Sequence, residues 1–337
     1  MGITIKKIVW IISLIMVLAV AAVGCGTKTD EAESSGTEEG KNLKLGIIQI
    51  VEHPALDASR QGFLDVLGEN GYKEGENLTV DYQNAQGDQS NLKTIATKFV
   101  TDQADMVLAI ATPSAIAMAS ETTDIPILIT AVTDPVAAKL VEKNEKPGGN
   151  VTGTTDMTPM QEQFDLLQKI VPDAKKVGVV YNSSEVNSQV QVEMAKEVAA
   201  GLGMEIVEAT VTGSAEVMQV AQSLVGKVDA IYVPGDNVVA SSIASVVSVA
   251  EKNQIPLIVS ERGMVEGGAL GTIGIDYYKL GRQTGEMALR VINGENTAEM
   301  PIESLKDIDI VINQGAADRM GVTIPQEILD QAKEVIK

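Results

Sequence analysis

Three short apolar segments recur in the same order along the chain. Leu45-Gly46-Ile47-Ile48 is echoed by Val177-Gly178-Val179-Val180, and Ala104-Asp105-Met106-Val107 by Val228-Asp229-Ala230-Ile231. Ile125-Pro126-Ile127-Leu128 is echoed by Ile255-Pro256-Leu257-Ile258. From Gly46 to Ile125 is 79 positions, and from Gly178 to Ile255 is 77, so the spacing is kept as well as the order. A chain with this pattern folds as two similar halves, and its 337 residues are ample for two cores.

Within each half, short apolar runs alternate with helical patterns. In the first, residues 43–51, 78–82, 106–111 and 127–130 read as strands, and residues 55–69, 91–101 and 114–120 as helices, the second capped by Asp88 or Ser90. In the second, residues 177–181, 205–211, 230–233 and 256–259 read as strands. Residues 187–201, 215–225 and 238–253 read as helices. The βαβα order predicts α/β lobes with doubly wound parallel sheets. The turn-rich stretch 147–153 reads as one strand of a hinge, residues 307–313 as a further crossing, and 325–336 as a final helix. The predicted organisation is lobe one from 43–153 plus about 277–305, and lobe two from 154–276 plus about 306–337, joined by a multi-strand hinge.

In open parallel sheets, ligands sit beyond the carboxyl ends of the strands. In lobe one those positions hold Glu52 and His53, Thr112 and Ser114, and Thr133 and Asp134. In lobe two they hold Ser183 and Ser184 after Tyr181, then Asp236 and Asn237, then Glu261, with Asp276 after the strand ending at Ile275. Thr112-Pro113-Ser114 and Ser183-Ser184 stand at helix starts, where backbone N–H groups can hold a carboxylate. Asp134, Asp236, Glu261 and Asp276 can hold an ammonium group, so the set suits a zwitterion such as a free amino acid. Each Ser or Asp also has a plainer role as a helix cap or turn residue, and Tyr181 and Tyr277 serve equally well as packing.

The inventory of reactive residues is sparse. One cysteine excludes a disulfide framework and a thiolate cluster, and one histidine excludes a multi-histidine metal site. GxSxG, HExxH, GxxxxGK[ST] and CxxC are all absent, so neither an enzyme nor a cofactor is expected. The 46 acidic residues against 26 basic ones give a net charge of −20, which repels nucleic acid.

The amino terminus reads as an export signal. Lys6 and Lys7 precede an apolar run over residues 8–23, short for a bilayer span of about 20 residues. Ala22-Val23-Gly24-Cys25 resembles the bacterial lipoprotein lipobox, with Ala22 where Leu is usual. That resemblance implies removal of residues 1–24 and acylation of Cys25. The segment 25–42 has no large apolar residue and is rich in Gly, Ser, Thr and Glu, the composition of a flexible tether. The expected location is the extracytoplasmic face of the cell membrane, held by lipid.

Further segments carry a second resemblance. They are His53-Pro54-Ala55-Leu56-Asp57, Ala111-Thr112-Pro113-Ser114-Ala115, Val132-Thr133-Asp134-Pro135, Asn150-Val151-Thr152-Gly153-Thr154, Tyr181-Asn182-Ser183-Ser184-Glu185 and Gly274-Ile275-Asp276-Tyr277-Tyr278. Together they resemble the solute-binding lipoproteins of ABC transporters with a type I periplasmic-binding fold. Within these, the likeness is to the tryptophan and aromatic-amino-acid binders of Gram-positive bacteria. The resemblance implies two lobes that close on a small solute by hinge motion and present it to a separate membrane permease with its ATPase. The same fold also serves ligand sensors that address a membrane receptor or kinase. Trp10, the one tryptophan, lies in the leader, so aromatic contacts to a ligand fall to Tyr181, Tyr232, Tyr277, Tyr278 or a phenylalanine.

Overall fold

The computed structural model describes residues 42–337. The leader, Cys25 and the tether up to Lys41 lie outside the described residues. The first half runs β1 (Leu43–Gln49), α1 (Pro54–Glu69), β2 (Leu78–Asn84), α2 (Gln89–Thr101), β3 (Met106–Ile110), α3 (Thr112–Glu121), β4 (Ile127–Val132) and β5 (Val151–Thr155). The chain then crosses to α4 (Met160–Ile170), β6 (Lys176–Asn182), α5 (Val186–Gly201), β7 (Glu205–Val211), α6 (Val217–Ser223), β8 (Ala230–Val233), α7 (Asn237–Ser241), α8 (Ile243–Asn253), β9 (Leu257–Val259), α9 (Arg262–Glu266) and β10 (Gly271–Gly274). A second crossing leads to α10 (Tyr277–Ile292) and β11 (Glu303–Ser304). A third leads to β12 (Asp309–Asn313), α11 (Gln314–Arg319), α12 (Gln326–Gln331) and β13 (Glu334–Ile336).

The strands form two sheets, ordered β11-β5-β4-β3-β1-β2 and β13-β12-β10-β9-β8-β6-β7. The run β4-β3-β1-β2 in one matches β9-β8-β6-β7 in the other, and these strands all pair in parallel. The β10–β12 pair alone is antiparallel. Each sheet buries its own apolar core.

The repeated segments do the same structural work twice. A Cβ on Gly46 would lie 2.8 Å from the Phe99 ring, and one on Gly178 would lie 2.7 Å from Leu224. In both lobes a helix therefore packs directly on the first strand's backbone. Asp105 accepts from the Lys44 N–H at 2.9 Å, and Asp229 accepts from the Lys175 and Lys176 N–H groups at 2.8 and 2.9 Å. Each aspartate ties the amino end of its lobe's first strand. The carbonyls of Pro126 and Pro256 accept from Val107 and Ile231, which starts the third and fourth strands in register.

Three local expectations differ from the structure, and one pair of alternatives is resolved. Residues 147–153 are not a hinge strand: Val151–Thr155 is β5, inside the first sheet between β4 and β11, so the first crossing begins at Asp156. The helix expected over 238–253 breaks at Ser242 into α7 and α8. The final helix stops at Gln331, and Glu334–Ile336 becomes an edge strand on β12. Asp88, not Ser90, caps α2, accepting from the Ser90 and Asn91 N–H groups.

Helix α10 returns from lobe two to pack on α1. Alanine at Gly281 or Gly62 would overlap the backbone carbonyl of Ser59 or Tyr278 respectively, so the two helices touch main chain to main chain. Backbone cannot swing aside as a side chain can. Gly281→Ala is therefore expected to lose about 3 kcal/mol of stability, read as a lower urea midpoint. An unchanged midpoint would refute the packing account.

Candidate functional site

The carboxyl ends of the two sheets face each other across a tight space of about 20 Å³. Lobe one supplies His53 and Leu56 from the start of α1, and Ala131 and Thr133 from the end of β4. Lobe two supplies Asn187 on α5, then Asp236, Asn237 and Ala240 around α7, then Glu261 and Met264 around α9. The crossings add Asp156 and Tyr277. The volume gives room for about one water molecule, well below the roughly 300–1,000 Å³ of ligand pockets, so the lobes stand nearly shut.

A break in β-sheet regularity helps shape this wall. The register between β4 and β5 shifts between Ile129 and Val132, and Ala131 sits at φ +56°. Gly153, at φ +138°, lies opposite, where any side chain would overlap the Ile129 backbone. A bulge of this kind re-aims side chains at a strand end. Ala111, at φ +75°, makes a similar strained corner between β3 and α3.

The lobes stand closed on one another. Gln191 of α5 donates to the Thr133 hydroxyl across the cleft at 3.3 Å, and its carbonyl accepts from the Gly235 N–H at 2.8 Å. Gly263 of α9 packs against Pro54 of α1, where a Cβ would come within 3.0 Å of the proline ring.

Charge inside the space is one-sided. Asp156, Asp236 and Glu261 line it, and no Lys or Arg does. Asp156 is 7% exposed. One of its oxygens accepts from the Tyr277 hydroxyl at 2.6 Å, and the other has no protein partner. Burial raises its pKa, against the pull of the Tyr277 bond. Asp236 caps α7 through the Val239 N–H at 2.8 Å, and also accepts from the Asn182 N–H at 2.5 Å and the Ser188 hydroxyl at 2.7 Å. Burial nonetheless raises its pKa, and burial together with the Asp236 charge raises that of Glu185 behind it. Glu261 caps α9 through the Gly263 and Met264 N–H groups, and burial pushes its pKa up to about 7.

His53 is the opposite case. It is 9% exposed, and neither ring nitrogen meets a hydrogen-bond partner. Burial lowers its pKa to about 4, opposed by the Asn237 side chain, which lies within loose hydrogen-bonding reach across the cleft, and by the charge of Asp57. Thr112 and Ser114, at the start of α3, are also buried with unpartnered hydroxyls. Thr112 and Pro113 face Ser184 and Glu185 along a groove of about 410 Å³ between α3 and the start of α5.

Of the strand-end residues singled out in the sequence, His53, Thr133, Asp236, Asn237 and Glu261 meet in the closed space. The others do not. Glu52 is exposed and accepts from the Tyr82 hydroxyl. Asp134 is a turn cap, accepting from the Val136 and Ala137 N–H groups at 3.0 Å each. Tyr181 points away along the strand pleat to Glu208, at 2.6 Å. Ser183 and Ser184 are exposed, Ser184 being bound to Asn182, and Asp276 caps α10 through Lys279. Thr112 and Ser114 are buried beside the groove rather than on the cavity wall. Sequence reasoning missed Asp156 and Asn187. Asp156 follows β5, so recognising that strand would have found it by the same strand-end rule. Asn187 lies one helical step inside α5, which that rule does not reach.

The pattern of the family described as "ABC transporter substrate binding protein" matches residues 44–336. A "Tyrosine-binding protein" of Clostridioides difficile is 47% identical over 282 residues, 84% of this chain and 82% of that protein. A Streptococcus pneumonia ABC domain in complex with L-Trp is 40% identical and superposes with a TM-score of 0.85, covering 88% of this chain and all of that one. The ligand-free, open form of a Clostridium difficile substrate-binding protein with adhesive properties is 49% identical, over the same shares of the two chains, yet superposes at only 0.66. The better fit thus goes to the ligand-bound relative despite its lower identity, in keeping with the closed lobes.

Proposed function

This chain belongs to the ABC transporter substrate binding protein family, and from that premise we propose that it captures an aromatic amino acid between its lobes and delivers it to a membrane permease. The fold is that of type I periplasmic-binding proteins, and members of the family are extracytoplasmic solute-binding proteins, not enzymes. Among the described residues, no helix is long and apolar enough to cross a membrane. The permease with its ATPase is a partner in this proposal, as is a lipid anchor at Cys25.

The observation that carries the reading is the unbalanced charge of the cavity. Buried carboxylates at Asp156, Asp236 and Glu261 with no basic neighbour call for a cationic group on the ligand. An amino acid's ammonium supplies it. The Thr133 hydroxyl, on the same wall, suits its carboxylate. Leu56, Met264 and Tyr277 offer an apolar setting for a ring. A ligand gripped by both lobes binds the closed state better than the open one, which is the condition for driving closure. The homologues described as binding tyrosine and tryptophan support the aromatic class.

A thermal-shift screen of the twenty amino acids tests this. L-Tyr or L-Trp is expected to give the largest rise in melting temperature, worth about 2.7 kcal/mol at a concentration one hundred times Kd. No rise with any aromatic amino acid would overturn the ligand class.

A further inference from the structure

Resting on the aromatic-amino-acid reading, we propose that His53 determines specificity within that class. Its imidazole accepts a hydrogen bond from a polar atom on the edge of the ligand's ring, a phenol hydroxyl or an indole N–H, and so disfavours a plain phenyl ring.

Several other caps facing the cavity use their side chains on backbone. Asp236 and Glu261 each accept N–H groups of the helix they start. His53 occupies the same N-cap position before α1 in extended backbone, φ −158° and ψ 161°, but its side chain makes no capping bond. The ring is instead directed into the cavity wall, more than nine-tenths buried, with both nitrogens unpartnered. A buried polar group left unmet is costly, so a site that retains one has its complement in the ligand.

The ligand atom that meets it follows by elimination. A neutral imidazole offers one acceptor nitrogen and one N–H. It cannot compete with Asp156, Asp236 and Glu261 for an ammonium group. The Thr133 hydroxyl on the cavity wall suits the carboxylate. The same cavity wall holds Leu56 and Ala131 from its own lobe and Ala240 and Met264 from the other, with Asn237 the polar neighbour of the imidazole. Such a wall accommodates a ring, and the polar atom on that ring's edge is the remaining partner for the imidazole. Sites built to bond a substrate hydroxyl or N–H discriminate strongly against the analogue that lacks it, because the protein's own group is then stranded.

Calorimetric titration of L-Tyr, L-Trp and L-Phe into the wild type, His53→Leu and His53→Ala tests the proposal, with melting curves to confirm folding. The wild type is expected to prefer tyrosine or tryptophan over phenylalanine by about 30-fold or more. In His53→Leu the preferred ligand weakens by a similar factor while phenylalanine holds its affinity or gains, so the ratio collapses toward one. His53→Ala gives the same collapse and answers alone if the leucine variant does not fold. Equal weakening of all three ligands, or an unchanged ratio, overturns the role of His53 and leaves the aromatic reading standing. Failure of all three to bind the wild type overturns the aromatic reading, and this inference with it.

Discussion

Asp156→Asn is expected to weaken binding of the aromatic amino acid by about 30-fold or more while the unliganded protein becomes more stable. Both effects have one cause. Asp156 lies at the first crossing, where it can touch a ligand held by either lobe, and one of its oxygens has no protein partner. Without ligand, its charge sits among other carboxylates with no cation on the cavity wall, an arrangement that burial alone makes unfavourable. Asparagine keeps the shape and still accepts from the Tyr277 hydroxyl, so the apo fold is relieved of a charge and loses little else. With ligand, the same substitution removes the ammonium's partner. Truncating one member of a buried, hydrogen-bonded charge pair costs about 2–5 kcal/mol. Isothermal calorimetry and urea denaturation of the same two proteins read the two effects separately. Unchanged affinity would remove Asp156 from the site. Reduced affinity together with reduced apo stability would make it a structural residue of the crossing instead.

Much of this architecture can be read from residues that do mechanical work. Gly46 and Gly178, Asp105 and Asp229, and Pro126 and Pro256 recur because each lobe needs a close helix–strand contact, a tied strand end and a set register at the same places. The rule that ligands gather beyond strand ends picks out a set of which His53, Thr133, Asp236, Asn237 and Glu261 line the cleft. It failed where strand-end chemistry has a local use. Asp134 and Asp276 satisfy backbone N–H groups within three residues of themselves, which the sequence shows only as an acid before a turn or helix. Tyr181 faces the wrong side of its sheet, and one residue of pleat decides that. Asp156 was hidden because β5 is a short Thr- and Gly-bearing strand that reads as a linker, and its place in the sheet depends on pairing with β4 and β11. The imbalance of charge in the cavity is legible only in three dimensions, since its carboxylates lie on three separate segments, at Asp156, Asp236 and Glu261.

Unliganded stability is expected to fall as pH rises from 5 to 7, while affinity for the amino acid rises over the same window. Glu261 titrates near 4.5 when unfolded and near 7 when folded. Between those values the folded protein holds more protons than the unfolded chain, so raising the pH drains stability. Asp156, Asp236 and Glu185, raised by burial, act in the same direction. His53 opposes them: it titrates near 6.5 unfolded and near 4 folded, so its contribution grows as pH rises from 4 to 6.5 and then stops. One imidazole roughly offsets one glutamate, and the remaining carboxylates set the sign. The ligand reverses the balance. Its ammonium binds ionised carboxylates, so binding expels protons from the cavity and strengthens as the pH approaches 7. Urea denaturation at pH 5, 6 and 7, with and without L-Tyr, measures both trends, and Glu261→Gln should flatten the apo trend by removing one of the raised carboxylates. Apo stability that climbs steadily to pH 7 would mean that these carboxylates are already matched by charge within the protein. The ammonium would then lose its reason to bind there.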